Sequence, residues 1–208
     1  MTLRRPPALR EKPLTPAALE RSALWHLSRR ALTRAQLQAL LQKKAARAAA
    51  AHGVQAEAPA WIEALLSRLQ DSLLVDDARV ARARVESGRT AGRSRRALQV
   101  RLRRSGVDAE TATEALRRAD DDRGGSDDAE LQAALTWAKK KSLATKERPR
   151  ALAALARQGF SFDTARRALD ALTRREDAAT EPPDDGAPNH DHRARPSGRT
   201  RFGGSRAT

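Results

Sequence analysis

Cysteine is absent from all 208 residues. Its absence excludes disulfides and thiolate metal sites and fits a reducing compartment. Tyrosine is also missing, and aromatic residues make up 3% of the chain. A core must therefore be built from leucine and alanine, which favours close-packed helices, and no segment carries the sustained β-branched alternation of a strand. No apolar run is long enough for a signal peptide or a membrane span, so the chain is expected in the cytoplasm with no membrane partner. The phosphate-cradling pattern G-x-x-x-x-G-K-[ST] does not occur, which argues against nucleotide binding by a P-loop. His26 and His52 stand alone, and the His190/His192 pair has no further ligand nearby. With no paired carboxylates or Ser/His/Asp set in a plausible pocket, a non-enzymatic protein without metal or cofactor is expected.

What the chain does have is internal repetition. Arg95–Leu116 and Arg148–Leu169 align at an offset of 53 residues, with eight identities over 22 positions. The identities are Arg95/Arg148, Leu102/Leu155, Arg104/Arg157, Gly106/Gly159, Thr111/Thr164, Ala112/Ala165, Ala115/Ala168 and Leu116/Leu169. Their placement suits a helix–turn–helix. Leucines at helical spacing form an apolar stripe, and a glycine follows a basic last turn. Asp108 and Ser161 are N-cap types at the same place in both copies. Val107 and Phe160 precede them and can staple the next helix near Ala112 and Ala165.

A third, degenerate copy lies upstream. Arg34, Leu37 and Leu41 align with Arg95, Leu98 and Leu102, and Ile62, Leu65 and Leu66 align with Ala112, Ala115 and Leu116. Its connection, roughly Ala45–Pro59, is longer by 11 residues. Thr33 and Gln36 can form a capping box. Leading helices are expected at Ala17–Arg30, Asp77–Glu86 and Asp127–Lys141, with Asp76 and Ser126 as caps of the second and third. The expected fold is all-α: three tandem three-helix, helix-turn-helix-like repeats in an elongated, curved array. The expected units are 17–75, 76–120 and 127–173, joined by a flexible linker at 121–126 (within the hinge-like run 120–128). Residues 1–16 and the basic tail 174–208 have the composition of disordered segments. Trp25, Trp61 and Trp137 fall on helices and are expected to be packing anchors, while Asp120–Asp122 read as linker acids.

The formal net charge is +15, and residues 17–173 hold 30 basic against 19 acidic residues. Arg82–Arg104 contains nine arginines and one glutamate, and Lys139–Arg157 contains seven basic residues and one glutamate. Arginine-rich composition alone scatters arginine everywhere, but solvated faces usually mix both signs, whereas these clusters exclude acids. Because they fall at equivalent places in the repeat, a stacked array displays them as a basic stripe suited to a polyanion or an acidic groove. The candidate contact residues are Arg93, Arg95, Arg96, Arg101, Arg103, Arg104, Lys139, Lys140, Lys141, Arg148, Arg150 and Arg157. No base-reading signature accompanies them, so any DNA binding is expected to be non-specific and through phosphates.

Three features belong together: LWHLSRRALTRAQLQALLQKKA from Leu24 to Ala45, WIEALLSRLQDSLLVDDARVARARV from Trp61 to Val85, and the pair of glycine turns RRSGV and ARQGF. In order and spacing they resemble the RecX family of regulators of bacterial RecA recombinase. Leu69, Leu73, Leu74, Asp76 and Asp77 stand where the family has leucines, a short turn and two acids, and Phe162 and Ala165 fall in its closing helix. Gly92-Arg93-Ser94 replaces the Gly-Pro frequent before the second unit's middle helix. The resemblance covers about 17–172. It implies a monomeric, non-enzymatic protein that lies along the groove of the RecA filament on DNA and restrains recombination, ATP turnover and co-protease activity. Two other readings stay open: a plain non-specific single- or double-stranded nucleic-acid binder, and a helical scaffold for an unrelated acidic partner.

Overall fold

The computed structural model describes residues 13–180, with side chains described through Arg174. Most of the segments 1–16 and 174–208, and the His190/His192 pair, lie outside the described residues. Among the described residues there are nine α-helices and no strand: α1 (Pro16–Arg29), α2 (Arg34–His52), α3 (Ala58–Asp71), α4 (Asp77–Thr90), α5 (Arg95–Arg104), α6 (Ala109–Asp121), α7 (Ser126–Lys140), α8 (Arg148–Arg157) and α9 (Phe162–Thr180). They form three tandem three-helix bundles, each with its own core. Leu19, Leu37, Leu41 and Leu66 centre the first. Val85, Leu98, Leu102 and Leu116 centre the second. Leu143, Leu155, Phe160 and Leu169 centre the third.

Local chemistry sets the helix starts. The Asp76, Asp108 and Ser161 side chains accept from the backbone N–H groups of Arg79 at 2.8 Å, Thr111 at 2.8 Å and Thr164 at 3.1 Å. Thr33 and Gln36 form the full reciprocal capping box. Val107 and Phe160 are buried in the same cores as Ala112 and Ala165. Some expectations are corrected. Ser126 is the first residue of α7 and not its cap; Gly125 holds that place at φ 103°, with no side-chain cap bond. The alanine-rich run Ala45–Ala51 is helix and not loop, because alanine is the strongest helix former and the run continues α2 to His52. Trp61 and Trp137 pack against the first and third cores, but Trp25 is 55% exposed and anchors neither.

The bundles meet through a joint that is built twice from the same parts. At the first, the Thr33 hydroxyl, already capping α2, donates to the Ser105 carbonyl at the end of α5. The Arg34 N–H donates to the Asp77 carboxylate of α4 at 2.8 Å. Gly106 (φ 78°) lies so close to Ala35 that an added Cβ would fall 2.2 Å from the Ala35 Cβ. At the second joint, Ser94 caps α5 and donates to the Gln158 carbonyl at 2.6 Å. The Arg95 N–H donates to Glu130 of α7 at 3.0 Å. Gly159 (φ 88°) would place a Cβ 2.9 Å from the Ser94 Oγ and 3.3 Å from the Arg96 Cβ. Ser105/Gln158, Gly106/Gly159 and Asp77/Glu130 are each separated by 53 residues. The glycines therefore serve twice: they take the left-handed turn that other residues strain to adopt, and they clear room for the neighbouring bundle.

Candidate nucleic-acid and filament interface

The joints decide which of the basic side chains are free. In α5, Leu98 and Leu102 face the core, so Arg96, Arg101, Arg103 and Arg104 project outward and are exposed, as is Arg93 in the preceding turn. In the third bundle Lys139, Lys140 and Lys141, at the end of α7, and Arg157, in the last turn of α8, are exposed. Helix C-termini favour positive charge, which suits Arg101, Arg103, Arg104, Lys139, Lys140, Lys141 and Arg157, whereas Arg93 and Arg96 stand at the start of α5 without that benefit. None of these nine cations has a carboxylate partner among the described residues. Arg104 and Arg157 each stand two residues before a joint glycine. Arg96 lies against the second such glycine, so the joint sets Arg96 of α5 beside the turn that follows α8.

Three other arginines of the expected stripe have acidic partners. Arg95 is half-buried and pairs with Asp120. Arg148 pairs with Asp170 at 2.6 Å, and that hydrogen bond holds the Asp170 carboxyl below its ordinary range. Arg150 pairs with Glu147 at 3.2 Å, one helical turn away.

Asp120, read in the sequence as a linker acid, is a buried member of α6. It pairs with Arg89 of α4, whose side chain is 1% exposed and which also reaches Glu130 at 2.6 Å and the Arg93 carbonyl at 3.3 Å. Two carboxylates and two guanidiniums thus knit α4, α5, α6 and α7 together. Burial of such charges is tolerated only because each is paired and hydrogen-bonded. Sequence reasoning took Asp120 for a solvated linker acid because it sits in an acidic run; its i+4 spacing from Leu116, which puts it on the inner face of α6 while Asp121 and Asp122 fall outside it, was the local signal that could have found it.

Two basic groups go beyond the candidate contacts, although Arg84 falls within the Arg82–Arg104 cluster and Arg101 is itself a candidate. At the first joint, half-buried Arg84 donates to Gln36 at 2.8 Å. Burial, then the nearby Arg101 and, more weakly, Arg30 hold its pKa below the ordinary arginine range, against the pull of Asp77. An arginine in that setting still carries its charge. A positive cluster therefore bridges the first and second bundles, and only tertiary packing assembles it. The second group lies on the first bundle, where Arg21 of α1 and Lys43, Lys44 and Arg47 of α2 line an open groove of about 700 Å³.

Comparison with known proteins places these features in a family. Residues 76–116 match the model of the RecX second three-helix domain. The chain is 38% identical over 171 residues to a protein of Myxococcus xanthus (strain DK1622) named regulatory protein RecX, covering 77% of this chain and 89% of that one. It is 31% identical over 154 residues to the protein of the same name from Agrobacterium fabrum (strain C58 / ATCC 33970), covering 68% and 76%. Among solved structures, RecX from Lactobacillus salivarius superposes with a TM-score of 0.57 at 20% identity, over 76% of this chain and 96% of that one. A second RecX crystal structure superposes with a TM-score of 0.58 at 18% identity, over 74% and 73%. At those identities the structures speak for the fold alone.

Proposed function

Because the chain belongs to the RecX family of regulatory proteins, we propose that it is a negative modulator of the RecA recombinase, lying as a monomer in the groove of the RecA–DNA filament and restraining its recombination, ATPase and co-protease activities. The observation that carries this reading is the set of nine exposed cations without carboxylate partners on the second and third bundles, with Arg104 and Arg157 at the same place before the two joint glycines. A filament offers acidic surface and phosphates along its length, and a tandem array spreads its cations along its own. Contacts that are weak singly gain through effective concentration when one chain links them. The cations would meet acidic protein surface and DNA phosphates together.

The same cations favour a second reading, non-specific binding to nucleic acid through phosphates alone. A titration separates the two. The protein is added to RecA on single-stranded DNA, at a salt concentration that weakens its own binding to bare DNA, and ATP hydrolysis is followed. Suppression at substoichiometric amounts is the expected result. Suppression only at DNA-saturating amounts selects the second reading, and no effect on hydrolysis overturns the first.

A further inference from the structure

The groove on the first bundle has a lining that the basic stripe does not share. Arg21, Lys43, Lys44 and Arg47 line it together with Trp25 and His26, and no acidic residue does. Its volume, about 700 Å³, falls in the range of ligand clefts, roughly 300–1,000 Å³. Lys43, Lys44 and Arg47 lie on neighbouring turns of α2, at the i, i+3 and i, i+4 spacings that put side chains on one face. None of the four cations has a carboxylate partner among the described residues. Trp25 stays 55% exposed although Arg29 sits over its ring at 4.9 Å and His26 meets it edge-on, also at 4.9 Å. An exposed indole held in place by two neighbours contributes nothing to the core, and its position beside four unpaired cations calls for a ligand with both an anionic and a flat apolar part.

We propose that this groove binds a segment of single-stranded nucleic acid, with phosphates on Arg21, Lys43, Lys44 and Arg47 and a base stacked on Trp25. A duplex keeps its bases stacked inside and could use only the cations. A single strand offers unstacked bases, which pair with aromatic side chains irrespective of sequence. An acidic protein segment would use the charge but would meet the indole only where an apolar side chain happens to fall beside its acids, whereas every nucleotide carries a phosphate and a flat base together. Residues 1–12, which precede the groove's Pro13, carry Arg4, Arg5, Arg10 and Lys12 against Glu11 alone, so their charge does not complement this site. The site is additional to the stripe of the second and third bundles. Its test needs no recombinase, so it can fail while the regulatory reading stands, and the reverse.

The test is binding of a fluorescent dT12 oligonucleotide to the full chain, by anisotropy across a salt series. Trp25→Leu should weaken binding about tenfold, and Trp25→Phe, which keeps a stacking face, by less than about threefold. The triple variant Lys43→Gln, Lys44→Gln, Arg47→Gln should lower the log–log salt slope by about 2, from roughly 0.7 per phosphate on single strands. Affinity for a 12-base-pair duplex should not respond to residue 25. All these positions are at the surface, and unchanged circular dichroism checks the fold. Wild-type affinity in both Trp25 variants, an unchanged salt slope in the triple variant, or no binding of dT12 would overturn the proposal. Poly-L-glutamate competing as well as dT12 at equal charge would assign the groove to an acidic protein segment and overturn it too.

Discussion

Arg89 and Asp120 show how one pair of residues can govern a whole boundary. Their side chains are 1% and 3% exposed, and Arg89 also has a buried Nε with no acceptor. Removing Asp120 takes an acid from both Arg89 and Arg95 and leaves buried Arg89 with Glu130 alone, so the cost should approach the roughly 3–5 kcal/mol of a broken buried pair without reaching its upper end. Asp120→Ala should therefore shift the urea unfolding midpoint strongly. Asp121→Ala, one residue along and paired with Arg117 in the open, should cost less than about 0.5 kcal/mol. The acids at the surface act through pH instead. Hydrogen bonds from Arg117 and then Arg118 lower the Glu114 pKa from 4.5 to about 2. The Thr111 backbone N–H lowers that of Asp108, and Arg148 lowers that of Asp170. A carboxylate with a depressed folded-state pKa contributes stability that is present above its unfolded pKa and lost as pH falls through the folded one. Stability should accordingly decline as pH drops from about 4.5 to about 2. Glu114→Gln should flatten part of that decline in acid titrations followed by circular dichroism.

At the scale of elements, the repeated joint assigns each side chain of the helix termini two tasks. Thr33 and Ser94 accept from their own helices and donate to the next bundle. Ser94→Ala should then cost more than the roughly 1 kcal/mol of a lost cap, because the Gln158 carbonyl also loses its donor. Two glycines separate backbone strain from steric clash. Gly53 and Gly106 both have positive φ, 89° and 78°, but an added Cβ meets nothing within 4 Å at Gly53 and the Ala35 Cβ at Gly106. At ψ 159° Gly53 sits in a region that is essentially glycine's alone, so Gly53→Ala should show that backbone penalty, about 1–3 kcal/mol, with no clash. Gly106→Ala adds a clash to its own strain and, by forcing the first two bundles apart, should broaden the unfolding transition as Gly53→Ala does not. Within a bundle, Leu102→Ala removes a fully buried side chain and should cost about 2–5 kcal/mol.

For the molecule as a whole, the sequence disclosed what depends on neighbours along the chain. Leucine spacing, the caps Asp76, Asp108 and Ser161, and the turn glycines are all local signals, and the three-helix units follow from them. The joints were written in the same 53-residue echo but in a disguised form: Asp77/Glu130 and Ser105/Gln158 differ in side chain, because the joint uses a carboxylate of either length and a backbone carbonyl. The charges were the least legible part. Arg95 is one of the eight identities, yet packing places it in the ion network with Asp120, while Arg84 and Arg30 gain their proximity to Arg101 only through tertiary contact. Charge reversal can separate the roles that the sequence merged. Changing Arg96, Arg103 and Arg104 to glutamate touches exposed groups without carboxylate partners, although acids in the last turn of α5 oppose the helix dipole by about 0.3–1 kcal/mol each; helicity should hold and the unfolding midpoint fall only slightly, while the proposed suppression of RecA ATP hydrolysis is lost. Arg95→Glu sets a carboxylate against Asp120 and Glu130 and should lower the unfolding midpoint whether or not suppression changes. If the triple variant stays folded and still suppresses at substoichiometric amounts, the α5 cations are a solvated face, and regulation must run through other contacts.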